Sequence, residues 1–600
     1  MTHRGRWPGC VLALAFLAAG CGGAASSSQT TVTYVGVTGG SISYGMTQRP
    51  TGCNPNTPGG DTPATLQVLG AVLPSPYVVN MNGGVSPNPN LIVQAELVSA
   101  APAPEKIVYT LNPDAVWSDG VPITAKDFIY AWQQQRGGLL SQPNTAASIA
   151  GYRDIGSITG SDKGRTVTVV FRTPFADWQM LFANLLPAHI MEKAGWDPAC
   201  STVDPSIDLS GGPFRITRVT PTAIVLGTNP RWWGTKPDVR TITVHIASGT
   251  QQLAQWVASN FVQVALPTAI TPTFLDQMTS LPSVESNVQL SPTFLQLQMA
   301  SGATSTLSAN VRFAIALSVD RQALVNQQAA WALSSVEVAS SNIYAQGESG
   351  YHAAPLTTTT TTPGAAPATP TSTSTTAIVQ GGSVNFPITP DPTEVADLMG
   401  VSGFARTAPG DWLNVLGQPL TIRLVADEGD SWAAATAPQL QEQLEDAGFA
   451  VTLSLAPTAA AAGQALADGS ADAALIPQTT SPFLSQTVAW YTDLLGPPGQ
   501  NGSENRTNYD NSTFNSTVVA ASQQLNPVTA AKGYVVADTQ LWSDVVALPL
   551  FTEPSVLIWS RKVGGVSQPV SSNSLLWYAQ YWAVRVPEST SNTTPTLPNP

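Results

Sequence analysis

Pro419-Leu-Thr-Ile-Arg-Leu-Val-Ala426, then Trp432 to Ala447, then Phe449-Ala-Val-Thr-Leu-Ser-Leu455 decide the fold class. The first and third runs are aliphatic and β-branched, short, and bounded by turn residues, which reads as two strands. The middle run carries the helical spacing and ends at Gly448, the residue type that most easily leaves a helix. Strand, helix and strand in succession imply a parallel sheet closed by a right-handed crossover, and hence an α/β protein.

The same grammar extends toward the N-terminus. Thr31-Val-Thr-Tyr-Val-Gly-Val37, Lys106-Ile-Val-Tyr-Thr-Leu-Asn112 and Arg165-Thr-Val-Thr-Val-Val-Phe-Arg172 alternate as strands do. Thr124-Ala-Lys-Asp127 opens a helix, with the acid where a helix start wants it. Val311 to Val325 reads as an amphipathic helix broken near Asp320. Residues 356–386, rich in Thr, Pro, Ala and Ser, cannot pack a core and read as a disordered insertion. A second such stretch follows Pro587.

The chain has 600 residues, too many for one ordinary core. Its hydrophobic share is 43%, enough for sizeable cores, but only 10% of residues are charged. An average domain carries about 25%. With 25 basic against 38 acidic residues, a net charge of −13 and no Lys/Arg cluster, a phosphate-tracking nucleic-acid surface is excluded.

The N-terminus addresses the compartment. His3, Arg4 and Arg6 precede the apolar Val11–Leu17, and Ala18-Ala-Gly-Cys21 resembles the bacterial lipobox. Residues 1–20 are then an export signal, Cys21 a lipid-bearing cysteine and 21–31 a flexible tether. Cys10 leaves with the signal. Cys53 and Cys200 remain as an even pair in an oxidising compartment, with a disulfide between them the expectation and two buried thiols the alternative. The four His (3, 189, 245 and 352) lie at no metal-ligand spacing, and no metal or other cofactor is expected. No Walker loop, dinucleotide fingerprint or nucleophile elbow is present, and the carboxylates Asp119, Asp127, Asp154, Asp427, Asp430 and Asp510 are scattered where caps and turns want them. An enzyme is not expected.

Four segments carry a family resemblance: Tyr109 to Phe128, with Trp117-Ser-Asp-Gly120 and Thr124-Ala-Lys-Asp127 at its centre; Gly212-Pro-Phe214 with Asn229-Pro-Arg-Trp-Trp-Gly-Thr-Lys-Pro237; Asn310 to Ala316 with Asp320-Arg321; and Asn508 to Phe514 with Leu541 to Leu550. In order and content they resemble the extracellular solute-binding proteins of peptide-type ABC transporters, family 5. The resemblance implies a two-lobed fold of the periplasmic-binding-protein type, with crossing strands, a hinge and an interlobe cleft. It places 32–265 in the first part of lobe one, 266–535 in lobe two, and 536–586 in the return to lobe one, before a disordered tail at 587–600. Its signature motifs read as fold markers and not as ligand contacts.

The resemblance also implies a function: a monomeric lipoprotein that captures a peptide-like or other small solute and delivers it to permease subunits. The implied cleft residues are Gln478, Thr479, Thr480, Ser481, Trp490, Tyr491, Asn508 and Tyr509. Peptide binders of the family have an acid where Pro477 to Pro482 stand, and this chain has none there, which suits a less charged ligand. Val72 to Tyr77, Phe175-Ala-Asp-Trp178 and Leu186 to Ile190 resemble an actinobacterial branch linked to phosphatidylinositol-mannoside and lipoarabinomannan synthesis. A cell-wall regulator without a transport role is therefore the alternative.

Overall fold

The structure, a computed structural model, describes residues 34–99, 104–137, 146–196, 209–267, 270–303, 305–329, 336–346, 348, 351, 389–406, 410–494, 504–570 and 575–587. The signal, the tether, Cys21, Cys200, the 356–386 insertion and the tail lie outside them. Gly36–Arg585 forms one compact unit.

A ten-stranded sheet organises this unit. Its strands are β1 (Ser41–Met46), β2 (Phe214–Val219), β3 (Ala223–Thr228), β4 (Thr241–Ile246), β5 (Val264–Ala265), β6 (Val284–Met299), β7 (Thr421–Asp427), β8 (Ala450–Ala456), β9 (Ala473–Thr479) and β10 (Ala547–Ser560). Their order in space is β8-β7-β9-β6-β10-β5-β1-β4-β3-β2.

Lobe one gathers around β1 and β4, which run parallel from Ser41↔Thr241 to Met46↔Ile246 over a core containing Tyr44, Phe214 and Trp582. Cys53 lies in this core and is disulfide-bonded. A four-stranded antiparallel sheet (Ile92–Ser99, Lys106–Leu111, Thr166–Phe171, Ile155–Ser161) forms a second layer with α1 (Ala125–Gln135). The signature motif builds that layer. Gly120 takes φ +91°, Asp119 Oδ1 accepts the Val121 amide at 3.0 Å, and the Trp117 ring is fully buried. Asp127 closes a capping box with Thr124 (2.8 Å) and accepts the Ala188 amide (2.9 Å). The motif residues are structural, as read from the sequence.

In lobe two the strand–helix–strand unit stands where the sequence placed it. β7 pairs β8 in parallel, from Thr421↔Ala450 to Asp427↔Ala456, and α2 (Ser431–Asp446) makes the crossover. Asp430 caps α2 by accepting the Trp432 and Ala433 amides, and Gly448 follows it at φ +93°. The motif arginines hold carbonyls: Arg312 reaches Leu307 and Asp544 (both 2.9 Å), and Arg321 reaches Ala339 (2.9 Å). Among the described residues no helix is long and apolar enough to cross a membrane.

Candidate ligand site between the lobes

β6 and β10 run through both lobes side by side. Residues Val284–Leu290 pair with Pro554–Ser560 in the half of the sheet that holds β5 and β1, and Phe294–Gln298 pair with Ala547–Thr552 in the half that holds β9 and β7, so both crossing strands run past the lobe bounds expected at 266 and 536. The register shifts between Leu290 and Phe294, where Pro292 and Pro554 remove ladder donors. Side chains and a neighbouring strand take up the freed groups. Ser291 Oγ donates to the Glu553 carbonyl (2.8 Å), while the Thr480 amide donates to the Pro292 carbonyl (2.8 Å), with the Thr480 hydroxyl oxygen 2.9 Å from it. This break lies where β6 and β10 pass from one half of the ten-stranded sheet to the other.

The lobes meet on both flanks of the break. On one, Asp177 Oδ2 accepts the Ser485 amide (2.9 Å) and the Ala176 amide donates to Ser522 O (2.7 Å). The Arg153 guanidinium also reaches Leu494 O there. On the other, the Ile270 amide donates to Ser431 Oγ (3.1 Å) at the start of α2.

Between these contacts lies a buried polar layer on β6. Gln296 donates to Asn342 Oδ1 (3.0 Å) and to Tyr491 Oη (2.7 Å), and Gln298 donates to Gln296 Oε1 (3.2 Å). Gln298 Oε1, Tyr344 Oη and Tyr534 Oη are buried, and none finds a hydrogen-bond partner among the described residues, while the Asn342 side chain turns to the Asp538 carboxylate. An unpaired buried polar atom costs about 1–3 kcal/mol, so three in one neighbourhood are unusual in a finished core.

Carboxylates surround the two phenols. Burial pushes the Tyr344 hydroxyl up, and the nearby charges of Asp538, Glu348 and Asp177 push it further. Burial likewise raises Tyr534, with Asp177 and Tyr344 adding to it. Asp538 is pushed up to about 6 by burial, and burial also raises Glu348 and Asp177. Among the described residues none of these three acids stands in an ion pair.

The expected cleft residues separate into two groups. Gln478, Thr479, Thr480 and Ser481 leave β9 beside the register break, with Thr479 bonded to Thr293 (2.8 Å) and Ser481 to Gln486 (2.6 Å). Trp490 is half-buried against Phe294, with ring centroids 6.5 Å apart. Tyr491 is in the same neighbourhood but spends its hydroxyl on Gln296 and on the Asn342 carbonyl. The other two are brought elsewhere. Tyr509 bonds Asp544 from within the lobe-two core, and Asn508, at φ +55°, donates to Ala467 O at the end of the helix Ala459–Ala467.

Sequence reading missed Tyr344, Glu348, Tyr534 and Asp538. It quoted Asp177 only as part of a resemblance. It also took the absence of an acid in 477–482 as absence of charge. The fold supplies one there from a distant segment, because Thr480 Oγ1 donates to Glu348 Oε1 at 2.5 Å. No local signal marks Glu348; only the fold brings it to Thr480. Among the described residues no cluster of His, Cys, Asp and Glu is disposed to hold a metal ion.

Residues 96–498 match the description "Bacterial extracellular solute-binding proteins, family 5 Middle". The chain belongs to this family. Among curated relatives it is 27% identical over 414 residues to the probable monoacyl phosphatidylinositol tetramannoside-binding protein LpqW of Mycobacterium tuberculosis, covering 67% of this chain and 62% of that one. It is 28% identical over 324 residues to the oligopeptide-binding protein OppA of the same species, covering 52% of each. The chain thus spans less than two thirds of the length of either relative. Among solved structures, the periplasmic EDTA-binding protein EppA superposes with a TM-score of 0.79 at 21% identity, covering 94% of this chain and 99% of that one. The two-lobed family-5 fold with its hinge and interlobe cleft is thereby the fold of this chain, and an extracytoplasmic location goes with the family.

Proposed function

We propose that this chain is the substrate-binding lipoprotein of an ABC importer, anchored through Cys21 after loss of residues 1–20. In this reading it closes its lobes on a small polar solute and presents it to permease subunits, without catalysing a reaction. One observation carries it: three buried polar atoms without partners among the described residues lie on the lobe-two side of the hinge, and two of them, the Tyr344 and Tyr534 hydroxyls, feel the charge of Asp177 from lobe one. A solute bridging the lobes would complete those hydrogen bonds, which is how a cleft binder couples capture to closure. The proposed contacts are Asp177, Tyr344, Glu348, Thr480, Tyr534 and Asp538, with Gln478, Thr479, Ser481 and Trp490 at the rim. A Cys53–Cys200 disulfide belongs to the same proposal.

The acids favour a solute that carries positive charge, such as a peptide-like amine. Similarity to LpqW favours a second reading, a cell-wall regulator that binds a phosphatidylinositol mannoside. The acidic lining opposes that ligand, because its phosphate would face Asp177, Glu348 and Asp538 with no compensating cation among the described residues.

Native mass spectrometry of the freshly purified protein, followed by release and identification of any bound solute, tests both. An amine-bearing solute supports the transport reading, and a phosphoinositide mannoside supports the regulator. If no solute co-purifies and neither class raises the melting temperature when added, the binding reading fails.

A further inference from the structure

The two edges of the ten-stranded sheet are built differently. β2, at one end, carries Arg215 and Arg218, and its pairing with β3 shifts register between Val225 and Leu226. Charge and bulges of this kind stop edge strands from recruiting another chain. β8, at the other end, reads Ala-Val-Thr-Leu-Ser-Leu-Ala, seven residues with no charge, proline or glycine. Thr452, Ser454 and Leu455 are exposed, Leu455 by 54%.

The backbone groups of β8 that have no partner among the described residues can be assigned. The Ala450 amide donates to Leu420 O (3.1 Å), and Ala456 O accepts the Glu428 amide (2.8 Å). Even-numbered residues therefore turn their backbone groups toward β7. By the alternation of a strand, Val451, Leu453 and Leu455 turn theirs outward.

The side-chain pattern is self-complementary about Leu453. In an antiparallel pairing centred there, Leu453 meets its own copy, Val451 meets Leu455, and Thr452 meets Ser454. The pairs joined by backbone hydrogen bonds would be 451–455, 453–453 and 455–451, the same residues whose outward groups find no partner among the described residues. One face becomes an apolar ladder and the other a hydroxyl ladder, both favourable cross-strand combinations. Register, backbone polarity and side chains agree on one partner.

We infer that two copies of this chain associate through β8, antiparallel about a twofold axis at Leu453, continuing one sheet across the pair. The interface is isologous, as a twofold requires. It replaces the monomer expected from the sequence and stands independently of the ligand. Each copy carries −13, so association is opposed by charge and tightens as salt rises.

Sedimentation velocity of the full chain over about a hundredfold range of concentration, at low and high salt, reads the association. A species of twice 62.6 kDa is expected at the upper end, increasing with salt. Leu455→Lys puts a charge into both outer rungs and should weaken dimerisation by about tenfold or more while the fold stays intact. Ser454→Lys, at another exposed position, gives a second reading should the first variant fold poorly. Leu453→Cys should cross-link to a covalent dimer under mild oxidation, because directly opposed residues lie within disulfide reach. Leu455→Cys, which faces Val451, should not. A monomer at every concentration and salt, or a dimer that neither lysine variant weakens, or one that cross-links equally through 453 and 455, overturns the inference.

Discussion

Tyr344 and Tyr491 belong to the same buried cluster of lobe two, yet their hydroxyls have opposite circumstances. Tyr491 accepts from Gln296 and donates to the Asn342 carbonyl, whereas Tyr344 has no partner among the described residues. Tyr491→Phe should therefore cost about 1–3 kcal/mol in chemical denaturation and leave solute affinity nearly unchanged. Tyr344→Phe should leave stability level or slightly higher and weaken solute binding about tenfold, read by calorimetry with the released solute. Equal behaviour of the two would remove Tyr344 from the site. The sequence shows both as aromatic and buried. It cannot show whether the hydroxyl is already engaged, because Gln296 is 195 residues from Tyr491. Asp127 was legible for the opposite reason, since its cap partner Thr124 is three residues away. Asp127→Ala leaves the Thr124 and Ala188 amides unpaired and should cost about 2–4 kcal/mol without altering solute affinity.

Elements whose partners are close in sequence were readable, and those assembled from distant segments were not. The β7–α2–β8 unit follows from some forty consecutive residues, so local pattern fixes both its type and its parallel pairing. The break between the two halves of the sheet arises where Ser291 meets Glu553 and Thr480 meets Pro292, pairs 262 and 188 residues apart. No local pattern encodes such a meeting. The lobe-to-lobe latch is of the same kind: the Asp177 carboxylate accepts the amide of Ser485 across the cleft. Because that bond exists only when the lobes are together, Asp177→Ala should act on the closed state. Stopped-flow release of solute is expected to quicken several-fold, with the denaturation midpoint shifted by less than about 0.5 kcal/mol equivalent. Unchanged release would show that the contact does not restrain opening.

At the scale of the whole molecule, scarcity of charge was the first property visible in the sequence, and the fold gives it a consequence that composition could not. Several of the few acids are buried without a paired cation among the described residues. Burial, outweighing the bond from the Phe175 amide, pushes Glu105 up to about 7, and Asp538 is pushed up to about 6. Glu553, on β10 at the register break, is raised by burial and by the adjacent Asp430 and Asp427. For such groups the folded state binds the proton more tightly than the unfolded chain. Stability is therefore greatest below the unfolded value near 4–4.5 and falls as pH rises through the folded values of about 6 to 7. Two acids pull the other way. Partial burial pushes Asp119 up, but the Val121 amide and His189 outweigh it and hold the carboxyl below its usual range. Burial is likewise outweighed at Asp472 by the Arg423 guanidinium. Their contribution is present above the unfolded value and disappears as pH falls through the lowered folded values. The two slopes intersect near pH 5, so the melting temperature should peak there, decline toward pH 8, and drop below about pH 4. Glu553→Gln removes one raised carboxyl and should flatten the alkaline decline while leaving the acid limb in place, because Asp119 and Asp472 are untouched. A melting temperature that rises steadily from pH 5 to 8 would mean that these buried acids are ionised and compensated in the folded protein.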